Sequence, residues 1–220
     1  SSDSSRLPQS EAVHAKSLRL RVGEVVSITN GAGLVALAQM DSESSYQITE
    51  IRKLEQQAPR FHLVQALAKA DRDELAMQTC VELGLASVTP WSSDRAIVRW
   101  DGKEAKNIAR WQQIAIEAMK QSQQGFICEV KPLATTKQLT PIGTALVLDP
   151  KADRSLNDFL PLTQDVMLVV GPEGGISPDE LAAFSSAGAR VVHMGASVMR
   201  TSTAGAIAVG GLLMRSQRWS

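Results

Sequence analysis

Three short segments contain the residues best suited to bind a ligand, and each follows an apolar run of strand length. They are Leu148-Asp149-Pro150, Gly171-Pro172-Glu173-Gly174-Gly175 and the stretch from Gly195 to Ala204. Glycine carries no Cβ, so backbone N–H and C=O groups can approach a ligand closely. In open α/β sheets, ligands bind beyond the carboxyl ends of the strands. The three segments therefore predict one pocket built largely from backbone, although a plain strand-to-helix turn is the alternative for the second segment.

Charged side chains in these segments supply the candidates for catalysis. Arg200 is the one charged residue between Gly195 and Ala204, and its guanidinium is a permanent cation with several donors. It is interpreted either as a cation of the shared pocket or as a surface or phosphate-binding arginine. Glu173 is better explained as a residue that fixes its loop than as a general base. The histidines are scattered and fit packed or surface roles better than catalysis: His14, His62 and His193.

The first sixty residues have the pattern of β structure. Leu18, Leu20 and Val22 alternate with arginines, which is the period of a half-buried strand. Apolar runs at residues 25–28, 34–38 and 46–54 predict further strands, and the turn-forming residues 29–33 join the first two. Residues 56–59 are polar and end in proline, so they predict a linker. The sequence thus predicts a small β domain over residues 1–60 and a second domain over residues 61–220.

The second domain alternates between strand-like and helix-like segments, which is typical of an α/β fold. Apolar runs predict strands at residues 61–68, 86–91, 96–100, 127–130, 144–148, 166–170 and 190–194. Helices are predicted from Asp71 or Asp73 to Leu83, over residues 103–124 and over residues 203–215. Ser177 and Glu180 form a capping box that opens one more helix. The runs at 144–148 and 166–170 are apolar throughout, as in a parallel sheet that is buried on both faces.

Composition excludes several classes of protein. Lys+Arg and Asp+Glu both number 23, so the net charge is zero and a strongly basic nucleic-acid binder is not indicated. No apolar run reaches the roughly 18 residues that a membrane span needs, so no membrane association is expected. Two cysteines without C-x-x-C spacing favour the reducing cytoplasm over a disulfide framework. No spacing typical of a metal site is found, so no metal is expected.

Two long motifs make the chain similar to a known family. V-V-G-P-E-G-G-I-S-P-D-E-L at residues 169–181 and G-A-S-V-M-R-T-S-T-A at residues 195–204 resemble the carboxyl-terminal signature of the RsmE-type 16S ribosomal RNA uridine-N3 methyltransferases, which belong to the SPOUT class. Weaker similarities occur at residues 18–23, 65–84, 89–95 and 117–122. The resemblance covers nearly the whole chain from about residue 10.

The resemblance implies a fold and a reaction. A SPOUT α/β domain with a trefoil knot would follow a small PUA-like β-barrel. The knot would hold S-adenosylmethionine (SAM), and the homodimeric enzyme would methylate N3 of a uridine in 16S rRNA of the small ribosomal subunit. Arg200 would stabilise the uracil anion. The implied cofactor-binding residues are Leu148, Pro150, Val170, Gly171, Glu173, Gly174, Met194, Gly195, Val198, Met199 and Thr203.

Contacts with RNA have fewer candidates. Because the net charge is zero, docking on a ribosomal subunit would need local positive surface; Lys16, Arg19, Arg21 and Lys69 are candidates that also fit a solvated surface. The chain departs from the family pattern where a glutamate, a lysine and an arginine are common: Ser202, Thr79 and Gln124. Two alternatives stay open, a SPOUT enzyme acting on another RNA and a non-catalytic RNA-binding assembly factor.

Overall fold

The computed structural model describes residues 5–6, 8–9, 16 and 19–216, which form two compact units. The first unit takes the described residues up to Gln56 together with Gln123–Phe126, and the second takes Gln57–Ser122 and Ile127 onward. Among the described residues, no helix has the length and hydropathy required to cross a bilayer.

The first unit contains a four-stranded antiparallel sheet. Its strands are β1 (Ser5–Arg6), β2 (Val25–Thr29), β3 (Leu34–Met40) and β4 (Ser45–Lys53), in the order β1-β4-β3-β2. A tight turn joins β2 to β3, as predicted: the Asn30 carboxamide oxygen accepts N–H bonds from Ala32 and Leu34 (2.8 and 3.1 Å). Gly33 adopts φ 90°, a left-handed conformation that glycine tolerates best.

The predicted strand at residues 18–22 is wrong where the structure describes it, and Leu18 lies outside the described residues. Arg19 has φ 55° and lies in a turn. The Arg21 N–H donates to the Glu24 carboxylate (3.1 Å), and Val22 is 71% exposed. The alternation of side chains is therefore not used to bury a face, since a local turn takes the backbone hydrogen bonds that a strand would need.

The second unit is built on a six-stranded sheet in which all pairs are parallel. Its strands are β5 (Phe61–Ala66), β6 (Ser87–Trp91), β7 (Glu129–Val130), β8 (Thr144–Leu148), β9 (Val166–Val170) and β10 (Arg190–Val192), in the order β10-β8-β9-β5-β6-β7. The predicted apolar strands β8 and β9 are almost wholly buried. Such burial on both faces is what a parallel sheet between helices requires.

Helices cover both faces of this sheet. They are α1 (Arg72–Glu82), α2 (Glu104–Gln121), α3 (Pro178–Ser186) and α4 (Thr201–Arg215), with 3₁₀ turns at Thr136–Gln138 and Leu156–Phe159. Phe184 of α3 packs with Val169 and neighbours on one face. The other three helices share the opposite core, where Met77, Trp111 and Val209 lie against the strands.

The ends of the helices agree with the predictions in part. Ser177 caps α3 as predicted, since its hydroxyl accepts the Glu180 N–H (3.2 Å) and the Glu180 carboxylate accepts the Ser177 N–H (3.0 Å). Asp71 precedes α1 but makes no side-chain cap. The buried Asp73 instead accepts the Ala68 N–H (3.0 Å). Helix α4 begins two residues earlier than predicted, at Thr201.

Residues 96–100 form a loop rather than the predicted strand. The Arg99 guanidinium donates to the carbonyls of Asp94, Ala96 and Val98. Ala96 and Trp100 are buried while Ile97 is 71% exposed, so the alternation that suggested a strand reflects two anchor points of a loop. Trp100 packs edge-on against Trp111, with ring centroids 5.3 Å apart.

Candidate active site

A cavity of about 450 Å³ opens in the second unit at the carboxyl ends of β8, β9 and β10. These strands are parallel, with β8 between the other two, so the segments that follow them meet at one edge of the sheet. The three segments selected from the sequence all contribute to its lining. The lining residues are Arg72, Leu148, Asp149, Pro150, Val170, Gly171, Pro172, Glu173, Gly175, Ile176, Val192, His193, Met194, Gly195, Ser197, Val198, Met199, Arg200, Thr201 and Ala204.

Most of the residues expected at a cofactor line this cavity. They are Leu148, Pro150, Val170, Gly171, Glu173, Met194, Gly195, Val198 and Met199, together with the expected catalytic residue Arg200. Gly174 and Thr203 lie outside the lining. The Gly174 carbonyl instead accepts a bond from the Arg95 guanidinium (3.2 Å), and the Thr203 hydroxyl donates to the Arg200 carbonyl (3.2 Å). Both residues therefore stabilise the segments that form the cavity wall.

The segment after β9 needs its glycines for steric reasons. A Cβ on Gly171 would lie 2.6 Å from Cγ1 of the buried Ile176, which is closer than two carbon atoms can approach. Gly175 has φ 73°, and its N–H donates to the Pro172 carbonyl (2.9 Å) to close a turn. The two glycines therefore permit the tight turn with which this segment forms part of the cavity wall.

Glu180 anchors the glycine segment to a neighbouring loop. This glutamate is 2% exposed, and its carboxylate accepts bonds from the Ser177 and Asp94 N–H groups and from the Ser93 and Thr136 hydroxyls (2.9–3.1 Å). Burial by itself would raise the pKa of Glu180, but these four donors favour the ionised form and hold the pKa below its usual range. Ser93 and Asp94 belong to residues 89–95, a segment whose sequence is similar to the family. Their bonds to Glu180 give this segment a structural role.

Arg200 is placed by the start of α4. Its backbone is extended (φ −70°, ψ 152°), and its carbonyl accepts the first helical bonds from Thr203 and Ala204 (3.0 Å each). The side chain is exposed and lines the cavity. Among the residues that the structure describes, none pairs with it as an ion pair. Its charge is therefore available to a ligand.

Arg72 is a cavity residue that the sequence analysis missed. Its guanidinium forms an ion pair with Glu173 (3.2 Å), which also lines the cavity. A signal was present: Arg72 begins α1, where the helix dipole favours acidic residues over a cation. Ala70 and Asp71 before it both have φ 56°, which is unusual for residues other than glycine. The turn with these two left-handed residues leads directly into the first residue of α1, Arg72.

Two further polar residues of the lining are held by local bonds. His193 accepts the Gly195 N–H on Nδ1 (3.0 Å), so a neutral His193 carries its proton on Nε2 and presents a donor rather than a base. Asp149 accepts the Lys151 N–H (2.7 Å). The carboxylate of Glu173 is neutralised by Arg72.

The candidates for RNA contact are all exposed, and they fall in both units. Lys16 and Arg19 line a second, smaller concavity of about 230 Å³ in the first unit, together with Leu20 and Glu43. Arg21 of the first unit and Lys69 of the second are exposed as well.

Other reactive groups are excluded from the site. Cys80 and Cys128 are free and buried, and burial raises the pKa of each thiol to about 12, so neither is a nucleophile at neutral pH. Within the described ranges, no cluster of three His, Cys, Asp or Glu side chains could hold a metal ion.

Comparisons with known proteins agree with this geometry. Residues 55–213 match the family model described as RNA methyltransferase domain. The chain is 34% identical to the ribosomal RNA small subunit methyltransferase E of Mycobacterium bovis, over 95% of this chain and 86% of the relative. It is also similar to a solved ribosomal RNA small subunit methyltransferase E from Neisseria gonorrhoeae bound to SAM (27% identity, TM-score 0.86, 96% and 92% of the two chains covered).

A second solved structure has the same fold. The chain is 28% identical to a methyltransferase of Legionella pneumophila in complex with SAM, with a TM-score of 0.86 and with 97% of this chain and 92% of that chain covered. The match to the family model extends over most of the chain and includes every residue that lines the cavity. This α/β protein with its parallel sheet therefore belongs to the family of the RNA methyltransferase domain.

Proposed function

We propose that this chain is a SAM-dependent methyltransferase that modifies N3 of a uridine in 16S rRNA of the small ribosomal subunit. The observation that carries the proposal is the cavity at the carboxyl ends of β8, β9 and β10, with the exposed Arg200 in its lining. The printed names of the similar proteins support ribosomal RNA as the substrate and SAM as the methyl donor. The N3 position rests on the resemblance of the two sequence motifs and on the chemistry of Arg200.

The lining of the cavity fits SAM. A volume of about 450 Å³ lies in the range of small-molecule sites. The wall combines apolar side chains such as Leu148, Val170 and Met199 with exposed backbone at Gly171 and Gly195. Apolar surface suits the faces of a purine ring, and backbone N–H and C=O groups suit its edge. When bound, SAM supplies an electrophilic methyl group on a sulfonium.

Arg200 has the main chemical role among the residues of this chain. Uracil N3 attacks a methyl group only after it has lost its proton, and the negative charge then spreads to the two flanking carbonyl oxygens. The Arg200 guanidinium is a permanent cation whose donors can bind such an oxygen. Because it stabilises charge that develops during the reaction, it lowers the barrier and does more than tighten binding. Arg72, in contrast, already neutralises Glu173.

The surroundings of Arg200 indicate how the proton of uracil N3 leaves. Three candidate bases in the lining each make one polar contact of their own: Glu173 with Arg72, Asp149 through Oδ1 with the Lys151 N–H, and His193 with the Gly195 N–H. The cation at Arg200 favours the anionic form of the base and so lowers the pKa of N3. We infer that the proton passes to solvent at the open mouth of the cavity, without a dedicated general base.

The path of the chain around the cavity supports a threaded, SPOUT-type knot. After β10 the chain runs beside the connection from β8 to β9. There the backbone of His193 forms a parallel bridge with Ser155: its N–H donates to the Arg154 carbonyl (2.8 Å), and its carbonyl accepts the Leu156 N–H (2.9 Å). It then changes from the sheet face of α3 to the opposite face, where α4 packs against α1. A segment that changes faces beside another loop is what threading through that loop would produce.

Assembly and location complete the proposal. Helix α4 exposes Ile207 and Met214 (48% and 68%) on the face that also carries the exposed Gly211. Such an apolar stripe with small residues suits a second copy of the chain, so we propose a homodimer.

The antiparallel sheet of the first unit supports a PUA-like barrel, whose Lys16 and Arg19 would contact RNA. The free, buried cysteines suit the cytoplasm.

A direct experiment tests the function. The purified protein is incubated with SAM and with small subunits from a strain that lacks the modification, and the rRNA is digested for nucleoside mass spectrometry. We expect 3-methyluridine to appear in 16S rRNA. A methylated nucleoside in another RNA only would favour the alternative SPOUT enzyme. No methylation and no rise in thermal midpoint at millimolar SAM would favour the non-catalytic RNA-binding factor, because a functional site stabilises the protein by mass action.

A further inference from the structure

Gln65 is a fully buried polar residue in the apolar core of the second unit. It lies near the end of β5 and is 0% exposed. Leu63 and Leu67, two positions before and after it in the chain, belong to the core beneath α1, α2 and α4. An amide in such a place costs free energy unless its polar atoms are hydrogen-bonded.

The amide is the first member of a chain of hydrogen bonds that leads to the cavity. Gln65 Nε2 donates to Thr201 Oγ1 (2.9 Å), and Thr201 Oγ1 donates to the Gly171 carbonyl (2.8 Å). The hydroxyl has a single proton, and the carbonyl can only accept, so Thr201 must accept from Gln65. The orientation of the amide is fixed by this chemistry. Among the described residues, no donor reaches the buried Gln65 Oε1.

Gln65 Nε2 also donates to the carbonyl of the neighbouring Ala66 (3.1 Å), which gives the amide a local structural role. The unpartnered Oε1 costs free energy, so this local bond alone is a weak reason to bury an amide. The amide also sets the direction of the Thr201 hydroxyl. Both later members of the chain line the cavity, and Thr201 directly follows Arg200.

We propose that Gln65 is a positioning residue for methyl transfer. It turns the Thr201 hydroxyl toward the Gly171 carbonyl and so links the start of α4, with Arg200, to the glycine segment after β9. The link keeps the distance between Arg200 and the glycine segment constant, although Gln65 itself does not line the cavity. This inference rests on the proposed function.

The test compares variants that separate positioning from stability. Gln65→Met keeps the volume and removes the donor, so we expect kcat to fall about tenfold or more, as small misplacements of reacting groups do. The KM for SAM should rise, the KM for the small subunit should stay the same, and the thermal midpoint should fall only slightly, by the loss of the bond to the Ala66 carbonyl. Thr201→Val should lower kcat similarly, Thr201→Ser should restore most of it, and the double variant Gln65→Met, Thr201→Val should be no worse than Thr201→Val.

Gln112 provides a matched control. Its amide donates to the Cys128 carbonyl (3.0 Å) and accepts the Val130 N–H (3.1 Å), outside the cavity. Gln112→Met should lower the thermal midpoint and leave kcat unchanged. Wild-type kinetics in Gln65→Met, or a loss of activity only in proportion to lost folded protein, would overturn the inference while the proposed function stands. If the wild type methylates no RNA, the proposed function fails, and the positioning role fails with it.

Discussion

Two arginines line the cavity, and their surroundings separate their roles. Arg72 is paired with Glu173 at 3.2 Å, so its charge is already balanced and contributes mainly to the shape of the wall. Arg200 is exposed and has no ion pair with any residue that the structure describes. A permanent cation beside an apolar wall is a favourable place for a negative charge that develops during a reaction.

Replacement of Arg200 by alanine tests this role at the scale of one residue. We expect kcat for methylation of small subunits to fall about 10²–10³-fold, the usual cost of removing one charge-stabilising donor. The thermal midpoint should stay within error, because the side chain is exposed. Arg215→Ala, at the other end of α4, is the control and should retain activity. Full turnover by Arg200→Ala would remove Arg200 from the mechanism.

At the scale of elements, the cavity depends on how strands end. The segment after β9 must turn sharply before α3, and it does so with Gly171 against Ile176 and with Gly175 at φ 73°. Glu180, at the first turn of α3, then holds the neighbouring loop through Ser93 and Asp94. The wall is therefore kept in place by backbone geometry and one buried carboxylate.

A pair of substitutions tests this geometry. Gly171→Ala should lower the affinity for SAM at least tenfold and lower the free energy of unfolding by about 1–3 kcal/mol, since its Cβ would contact Ile176 at 2.6 Å. The second change, Ile176→Ala, makes room and should restore SAM affinity in the double variant. Calorimetric titration with SAM and urea unfolding give the two quantities. Unaltered SAM affinity in Gly171→Ala would show that this segment does not contact the ligand.

At the scale of the whole molecule, a buried histidine near the amino end of β5, away from the cavity, makes stability depend on pH. His62 is 9% exposed, its Nδ1 lies 2.7 Å from the Ser87 hydroxyl, and Nε2 lies 3.7 Å from the Asp165 carboxylate. Burial lowers the pKa of His62 below 6.5; Asp165 opposes this effect, and Arg60 and Lys131 add to it. At pH values just below 6.5, His62 therefore binds a proton in the unfolded chain more readily than in the folded chain.

Stability should consequently fall as pH falls below about 6.5, the pKa of an unfolded histidine. Urea unfolding at pH 7.5, 6.5 and 5.5 measures this trend. His62→Gln removes the titrating group, so its free energy of unfolding should change less over the same interval. A wild-type protein that is equally stable at pH 7.5 and 5.5 would contradict the direction inferred for His62.

The exposed stripe of α4 belongs to the same scale. Ile207 and Met214 would be buried in the proposed homodimer, and Ile207→Glu should place a charge in that interface. Light scattering after gel filtration should give twice the chain mass for the wild type and a single chain mass for the variant. Val22→Glu, at an exposed apolar site in the first unit, should leave the mass unchanged. A wild-type monomer would exclude the dimer.

Sequence by itself determined the parts of this protein that depend on neighbouring residues along the chain. The β8 and β9 strands, the capping box at Ser177 and the glycine segment follow from local period, turn chemistry and steric freedom. The same local rules failed at residues 19–22 and 96–100. There, the Glu24 carboxylate accepts a bond from the Arg21 N–H, and the Arg99 guanidinium donates to backbone carbonyls. These bonds hold a turn and a loop that alternation alone cannot distinguish from strands.

Tertiary structure decided which distant residues meet. Gln65 and Thr201 are 136 positions apart and Arg72 and Glu173 are 101 apart, yet each pair is in contact, the first behind the cavity wall and the second in its lining. No local pattern marks such a pair, because a buried amide or a helix-terminal arginine looks ordinary until the opposite partner is in place. The parallel sheet brings them together, since it gathers the carboxyl ends of strands from remote parts of the chain at a single edge.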